Sequence, residues 1–148
     1  MRLLIDTDTL LDFVAERPDA REAWNKLNAL ELTGAAELWV AADSFDDVRR
    51  ALLAALPDAE ARSALRSTMG FLSVCSVDGA DVRFALDHGS LPYHTALTES
   101  CARKISADFI ITNAGAADIP RAVRRVSPEE LFEALEQERG LVFDLIDF

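Results

Sequence analysis

Four short apolar runs recur along the chain: RLLID (Arg2 to Asp6), ELWVAA (Glu37 to Ala42), FLSVCSV (71–77) and DFIITN (108–113). Each is apolar at consecutive positions rather than at alternate ones. That pattern suits strands covered on both faces, as in a parallel sheet flanked by helices. Between the runs, apolar residues recur at helical spacing. Strand and helix patterns in alternation restrict the chain to an α/β fold, a three-layer α/β/α sandwich with a mostly parallel sheet. The short VRRV (123–126) raises the expected strand count from four to five.

The helix boundaries are marked by capping chemistry. Thr7, Asp8 and Thr9 offer caps for a helix that turns Leu10, Leu11, Phe13 and Val14 inward. Pro18 and Asp19 restart a helix carrying Ala23, Trp24, Leu27 and Leu30, which Gly34 closes. Asp43 or Ser44 is expected to cap a helix running through Val48, Leu52, Leu53 and Leu56 until Pro57 and Asp58 end it. Further helices are expected over about 59–69, 80–88 and 93–105. Ser127-Pro128-Glu129-Glu130 is a strong helix start, with Ser at the cap, Pro at the first position and Glu at the third. No repeat or linker interrupts the chain, so one domain over residues 1–148 is expected. Its last eight residues, LVFDLIDF, are too apolar for an idle end and should pack on the body or on another subunit.

Charge and cysteine usage remove several function classes. The formal net charge is −11, from 15 basic and 26 acidic residues, which disfavours indiscriminate binding to phosphate backbones or anionic lipid. The acid is concentrated late: residues 127–148 hold seven acids and the single base Arg139. A nucleic-acid ligand is therefore disfavoured rather than excluded, with Arg121, Arg124 and Arg125 the place for it. Cys75 and Cys101 lack metal-ligand or CxxC spacing and read as small core residues, giving a reduced, cytoplasmic protein as the default. No apolar run approaches the ~18 residues needed to cross a bilayer, and no secretion signal is expected at the start. No Gly-rich loop follows the first strand, so a nucleotide-cradling site is not expected.

In parallel sheets, functional groups gather at the carboxyl ends of the strands. That rule selects Asp6, the Asp43–Asp47 segment and the Thr112–Asp118 loop, all rich in carboxylates. LLIDTDTLLDF, AADSFDDVRRAL, ALTESCARKISADFIITN and VRRVSPEEL, in this order, resemble a PIN domain. The likeness is to the small bacterial PIN proteins that include the toxin ribonucleases of toxin–antitoxin pairs, and it extends to about Leu135. The resemblance implies hydrolysis of RNA phosphodiesters by carboxylates around Mg²⁺ or Mn²⁺, a hard cation that prefers oxygen ligands and activates water. It also implies an RNA substrate, an antitoxin-type partner and a homodimer.

Carried over residue by residue, Asp6 matches the family's first acid, Asp47 its second (usually Glu), and Asp118 the acid after the fourth strand. These three are the expected catalytic and metal-binding set. Asp8 and Ser44 stand beside them as site neighbours. The pattern breaks at Pro92-Tyr93-His94-Thr95-Ala96, where relatives read approximately Asp-Phe-Glu-Asp-Ala. Thr95 then takes the place of a lost acid and is expected to face the cluster, with Glu99 one turn later able to reach back. His94 and His88 are read as surface or helix-end residues, and Asp43 as cap or solvated face. Two functions stay open: a divalent-metal ribonuclease of the toxin type, and a PIN scaffold with an eroded site that serves as a binding or assembly module.

Overall fold

The structure, a computed structural model, describes residues 1–140; the apolar tail expected to dock at 141–148 lies outside them. Five strands form one all-parallel sheet in the order β3-β2-β1-β4-β5. They are β1 (Arg2–Ile5), β2 (Glu37–Ala41), β3 (Leu72–Cys75), β4 (Phe109–Ile111) and β5 (Arg125–Val126). Seven α-helices are described: α1 (Thr7–Val14), α2 (Arg21–Leu32), α3 (Ala42–Leu52), α4 (Asp58–Thr68), α5 (Gly79–Asp87), α6 (Tyr93–Lys104) and α7 (Pro128–Arg139). The chain is the α/β sandwich that its run pattern predicts.

Alternate strand residues divide the core into two faces, as a pleated sheet requires. Leu3, Ile5, Leu38, Val40 and Ile111 pack with Leu10, Trp24, Leu27, Val48, Leu65 and Leu131, so α1 to α4 and α7 cover one face. Leu4, Ala41, Cys75 and Ile110 point the other way, onto Cys101, Ala102 and Ile105 of α6. Helix α5 docks on α6 through Ala85, Ala96 and Leu97. A polar tie strengthens that pairing: buried Asp81 accepts hydrogen bonds from Ser100 Oγ and from Lys104 Nζ, which also reaches Ser76 O. Both cysteines are buried and free, matching their reading as core residues.

Several boundaries differ from expectation. Asp6, rather than Thr7, Asp8 or Thr9, caps α1, its side chain accepting from Thr7 N at 2.8 Å. Neither Asp43 nor Ser44 caps α3; the cap position is Ala41, without a side-chain bond. Both residues lie inside the first turn instead, which turns them toward the neighbouring helices. Helix α3 stops at Leu52, four residues before the expected Leu56. Asp78, unmarked in the sequence reading, makes a capping box with Asp81 at α5. The Ser127 capping box, with Glu130 returning to Ser127 N, forms as expected. Gly34 closes α2's turn at φ 73°, a left-handed conformation that a Cβ would strain.

The strand order places a topological switch between β1 and β4. From β1 the chain proceeds to β2 and β3 on one side, then crosses through α5 and α6 to β4 on the other. Helices α1 to α4 on the outward path and α5 and α6 on the return crossing cover opposite faces, so a crevice opens at the carboxyl ends of these central strands. The N-terminal turns of α1, α3 and α6 surround it.

Candidate functional site

Asp6 ends β1 at the mouth of this crevice, its backbone N–H bonded to Ile111 O of β4. Being the α1 cap, it is 5% exposed, and its Oδ1 accepts from both Thr7 N and His94 Nε2, each at 2.8 Å. Burial by itself would push this carboxyl up. The His94 hydrogen bond and charge, the Thr7 N–H and the Thr112 hydroxyl outweigh it and hold Asp6 below the ordinary carboxylate value. His94 responds in the opposite sense. Its bond to Asp6 raises it, burial lowers it less, and the charges of Asp6, Asp43 and Asp47 add to the rise. The two side chains form a charge-assisted pair at the site's centre.

Helix α3 brings two more carboxylates. Asp43 Oδ2 lies 3.8 Å from His94 Nδ1, and its other oxygen is buried with no hydrogen-bond partner among the described residues. Burial raises the Asp43 carboxyl; His94 and a backbone N–H pull it back, while Asp47 and Asp6 push it further up. Asp47 stands one turn later on the same helix face, its Oδ1 2.8 Å from Arg50 Nη2. Ser44 is buried between α1 and α3, its Oγ 2.8 Å from Thr7 Oγ1. The helix N-termini lend partial positive charge, which tempers repulsion among the three acids.

One ligand atom each from Asp43, Asp47 and His94 lies within 4.8 Å of the others. Two carboxylate oxygens and an imidazole nitrogen form a donor set that could hold one divalent ion. The orphaned Asp43 oxygen fits that use, because a buried unpaired carboxylate oxygen is costly. All three side chains are 30–39% exposed, so water or a substrate oxygen could complete the coordination.

The other sequence-selected residues have separate places. Asp8 is spent on structure: it accepts from Thr9 N, from Asn113 N at 2.9 Å and from the Thr112 hydroxyl, tying α1 to the loop after β4. Asp118 is exposed in that loop, with no hydrogen bond or ion pair among the described residues. Thr95 is half-buried, and its carbonyl accepts from Arg125 Nη2; its hydroxyl makes no bond to the cluster among the described residues. Glu99 is fully buried, accepting from Val123 N at 2.8 Å and Arg103 Nε at 3.1 Å rather than reaching the acids.

His94 corrects its reading as a mere surface or helix-end residue. Helix α6 presents two adjacent faces. His94 meets Asp6, and four residues on Thr98 Oγ1 lies 3.4 Å from the same His94 Nε2, whereas Glu99 and Arg103 meet the 120–123 segment. A one-residue step rotates a side chain by about 100° on a helix, so His94, not Thr95, meets the acid. Its place beside the family's acid position was the available signal. Asp43 also leaves its expected role as cap or solvated face. Arg124 pairs with Glu138 at 3.0 Å, so its charge serves the acidic last helix.

Comparison with solved structures decides the fold class. VapBC2 from Rickettsia felis, bound to a DNA fragment from its promoter, matches 76% of this chain and 88% of its own at TM-score 0.58 and 16% identity. VapC20 of Mycobacterium tuberculosis, a toxin that cleaves the sarcin–ricin loop, matches 73% and 86% at TM-score 0.57 and 12% identity. The fold is that of a PIN domain. No protein-family model matches the sequence, and no curated protein matches it. At such identities the likeness carries the PIN architecture and no residue roles. Among the described residues, no helix is long and apolar enough to cross a membrane.

Proposed function

We propose that this chain is a divalent-metal-dependent PIN ribonuclease of the toxin type, with Asp43, Asp47 and His94 as its metal-holding group. The observation that carries the reading is the convergence of Asp6, Asp43, Asp47 and His94 in the switch-point crevice of a PIN fold. A divalent cation held there would supply charge for the scissile phosphate and a more acidic bound water. Asp43 and Asp47 provide anionic oxygens and Asp6 holds His94 in place, while Asp118, exposed in the loop beyond β4, stands outside the group. Thr7 and Ser44 brace α1 against α3, fixing the spacing of the carboxylates. An antitoxin-type protein partner, a homodimer and a cytoplasmic setting complete the proposal, in keeping with the toxin neighbours of this fold.

The test is cleavage of structured RNA by the full chain with Mn²⁺, with Mg²⁺ and with EDTA, beside Asp47→Asn. Cation-dependent cleavage lost in Asp47→Asn supports the proposal. RNA binding without cleavage under every cation would favour the second reading, a scaffold that binds without cutting. One observation favours that second reading: His94 pairs with Asp6, which reduces the negative charge available to a metal.

A further inference from the structure

We infer that the cation of this crevice is an imidazole-accepting transition ion, of the Zn²⁺ or Co²⁺ class, held by His94 Nδ1 with Asp43 and Asp47, and that Asp6 is a positioning residue. This rests on the proposed reading of the crevice as a cation site, but not on RNA cleavage.

Hydrogen bonding assigns the two ring nitrogens different tasks. Nε2 lies 2.8 Å from Asp6 Oδ1, so in the neutral ring it carries the proton and donates it to that carboxylate. The Nδ1 lone pair is then left free on the side of Asp43, whose Oδ2 is 3.8 Å away. Two oxygens that would share one ion with the nitrogen are within 4.8 Å, and a second Asp43 oxygen is buried without a partner among the described residues. A metal-bound histidine that donates its other N–H to a carboxylate is a recurring arrangement, in which the carboxylate fixes tautomer and ring orientation. Asp6 is suited to that task by its own constraints: it is buried, and it is immobilised as the α1 cap by Thr7 N.

The nitrogen ligand sets the choice of ion. Mg²⁺ demands near-ideal octahedral oxygen ligation and gives up water reluctantly, so an imidazole at one of three protein positions serves it poorly. Zn²⁺ and Co²⁺ accept mixed nitrogen and oxygen sets, and their affinities for such sites exceed that of Mn²⁺. Three protein ligands with part-exposed side chains also leave coordination positions open to solvent, as catalytic rather than structural sites do.

Calorimetry of the full chain with Zn²⁺, Co²⁺, Mn²⁺ and Mg²⁺ tests the inference, joined by long-range ¹H–¹⁵N NMR of the imidazoles. The chain has only two histidines, and His88→Gln assigns them. Binding of Co²⁺ and Zn²⁺ at least tenfold tighter than Mg²⁺ is expected. Zn²⁺ should shift the Nδ1 resonance of His94 while Nε2 keeps its proton. Asp6→Asn should weaken Zn²⁺ by about 10–100-fold, as loss of an orienting partner does, and blur the tautomer in the metal-free protein. Asp47→Asn should leave that tautomer intact while weakening the ion. Equal affinities for Mg²⁺ and Zn²⁺, unchanged in His94→Asn, would overturn the nitrogen ligand but leave a cation site standing. A shift at Nε2 instead of Nδ1 would overturn the role of Asp6. No binding of any ion would end both this inference and the cation-site reading beneath it.

Discussion

Glu99 should matter to stability through one oxygen. Its Oε1 accepts from Val123 N and from Arg103 Nε, while its Oε2 is buried without a partner among the described residues. Glu99→Ala removes two charge-assisted bonds of about 1.5–3 kcal/mol each and deletes one buried methylene worth about 0.8 kcal/mol. Two terms offset this. Arg103 is 38% exposed and regains water, and the uncompensated Oε2 disappears with the side chain. A net loss of about 2–4 kcal/mol follows. At roughly 3 °C per kcal/mol for a chain of this size, the melting temperature should fall by about 6–12 °C. Glu99→Gln keeps an acceptor for Val123 N and surrenders only the charge, so a loss below about 1.5 kcal/mol is expected. Thermal unfolding measures both, and hydrogen exchange locates the damage. Amides of 119–123 should exchange faster in Glu99→Ala, while those of β1 follow only the global change. A shift under 2 °C for Glu99→Ala, or equal shifts for Ala and Gln, would refute the anchoring role.

The pH dependence of stability follows from the central pair. The His94 pKa is raised from 6.5, so its contribution is fully present below about pH 6.5 and is lost as pH climbs through the raised value. Asp6 is lowered from 3.8, so its contribution is present above about pH 4 and is lost as pH falls through the lowered value. Chemical denaturation should show His94→Gln losing about 0.5–1.5 kcal/mol at pH 5–6, discounted for the part-exposed ring, and less at pH 9. Ser127→Ala removes a cap bond to Glu130 N and should cost about 1 kcal/mol, or 2–4 °C in a melting curve. Arg50→Ala frees Asp47 from an exposed ion pair worth at most about 1 kcal/mol, so calorimetry should show cation affinity rising by up to roughly fivefold.

The fold is legible in the sequence because the strand runs are short, continuous and separated by capped helices. Even the two-residue β5 follows from VRRV, since Arg125 and Val126 pair with Ile110 and Ile111. The site is legible only in part. Asp6 and the Asp43–Asp47 segment follow from the rule that function collects where parallel strands end, and only the family resemblance singles out Asp47 within it. Asp43 is obscured because an acid in a helix's first turn is favourable in any case, whether or not it has chemistry to do. His94 is obscured by a rotation: the sequence places the start of α6 at the crevice but cannot say which residue of that turn points inward. Glu99 looks like a reserve ligand by its one-turn spacing from Thr95. Only three-dimensional packing shows that this face of α6 meets Val123.

The location of the ion is the most direct test of the site. Crystals of the full chain grown with Co²⁺ or Zn²⁺, measured at the metal's absorption edge, would give an anomalous peak at each bound ion. A peak about 2.0–2.2 Å from His94 Nδ1 and from carboxylate oxygens of Asp43 and Asp47, with Asp6 still on Nε2, is the expected result. A peak coordinated by Asp6 and Asp118 with His94 swung away, or no peak in the crevice, would contradict it.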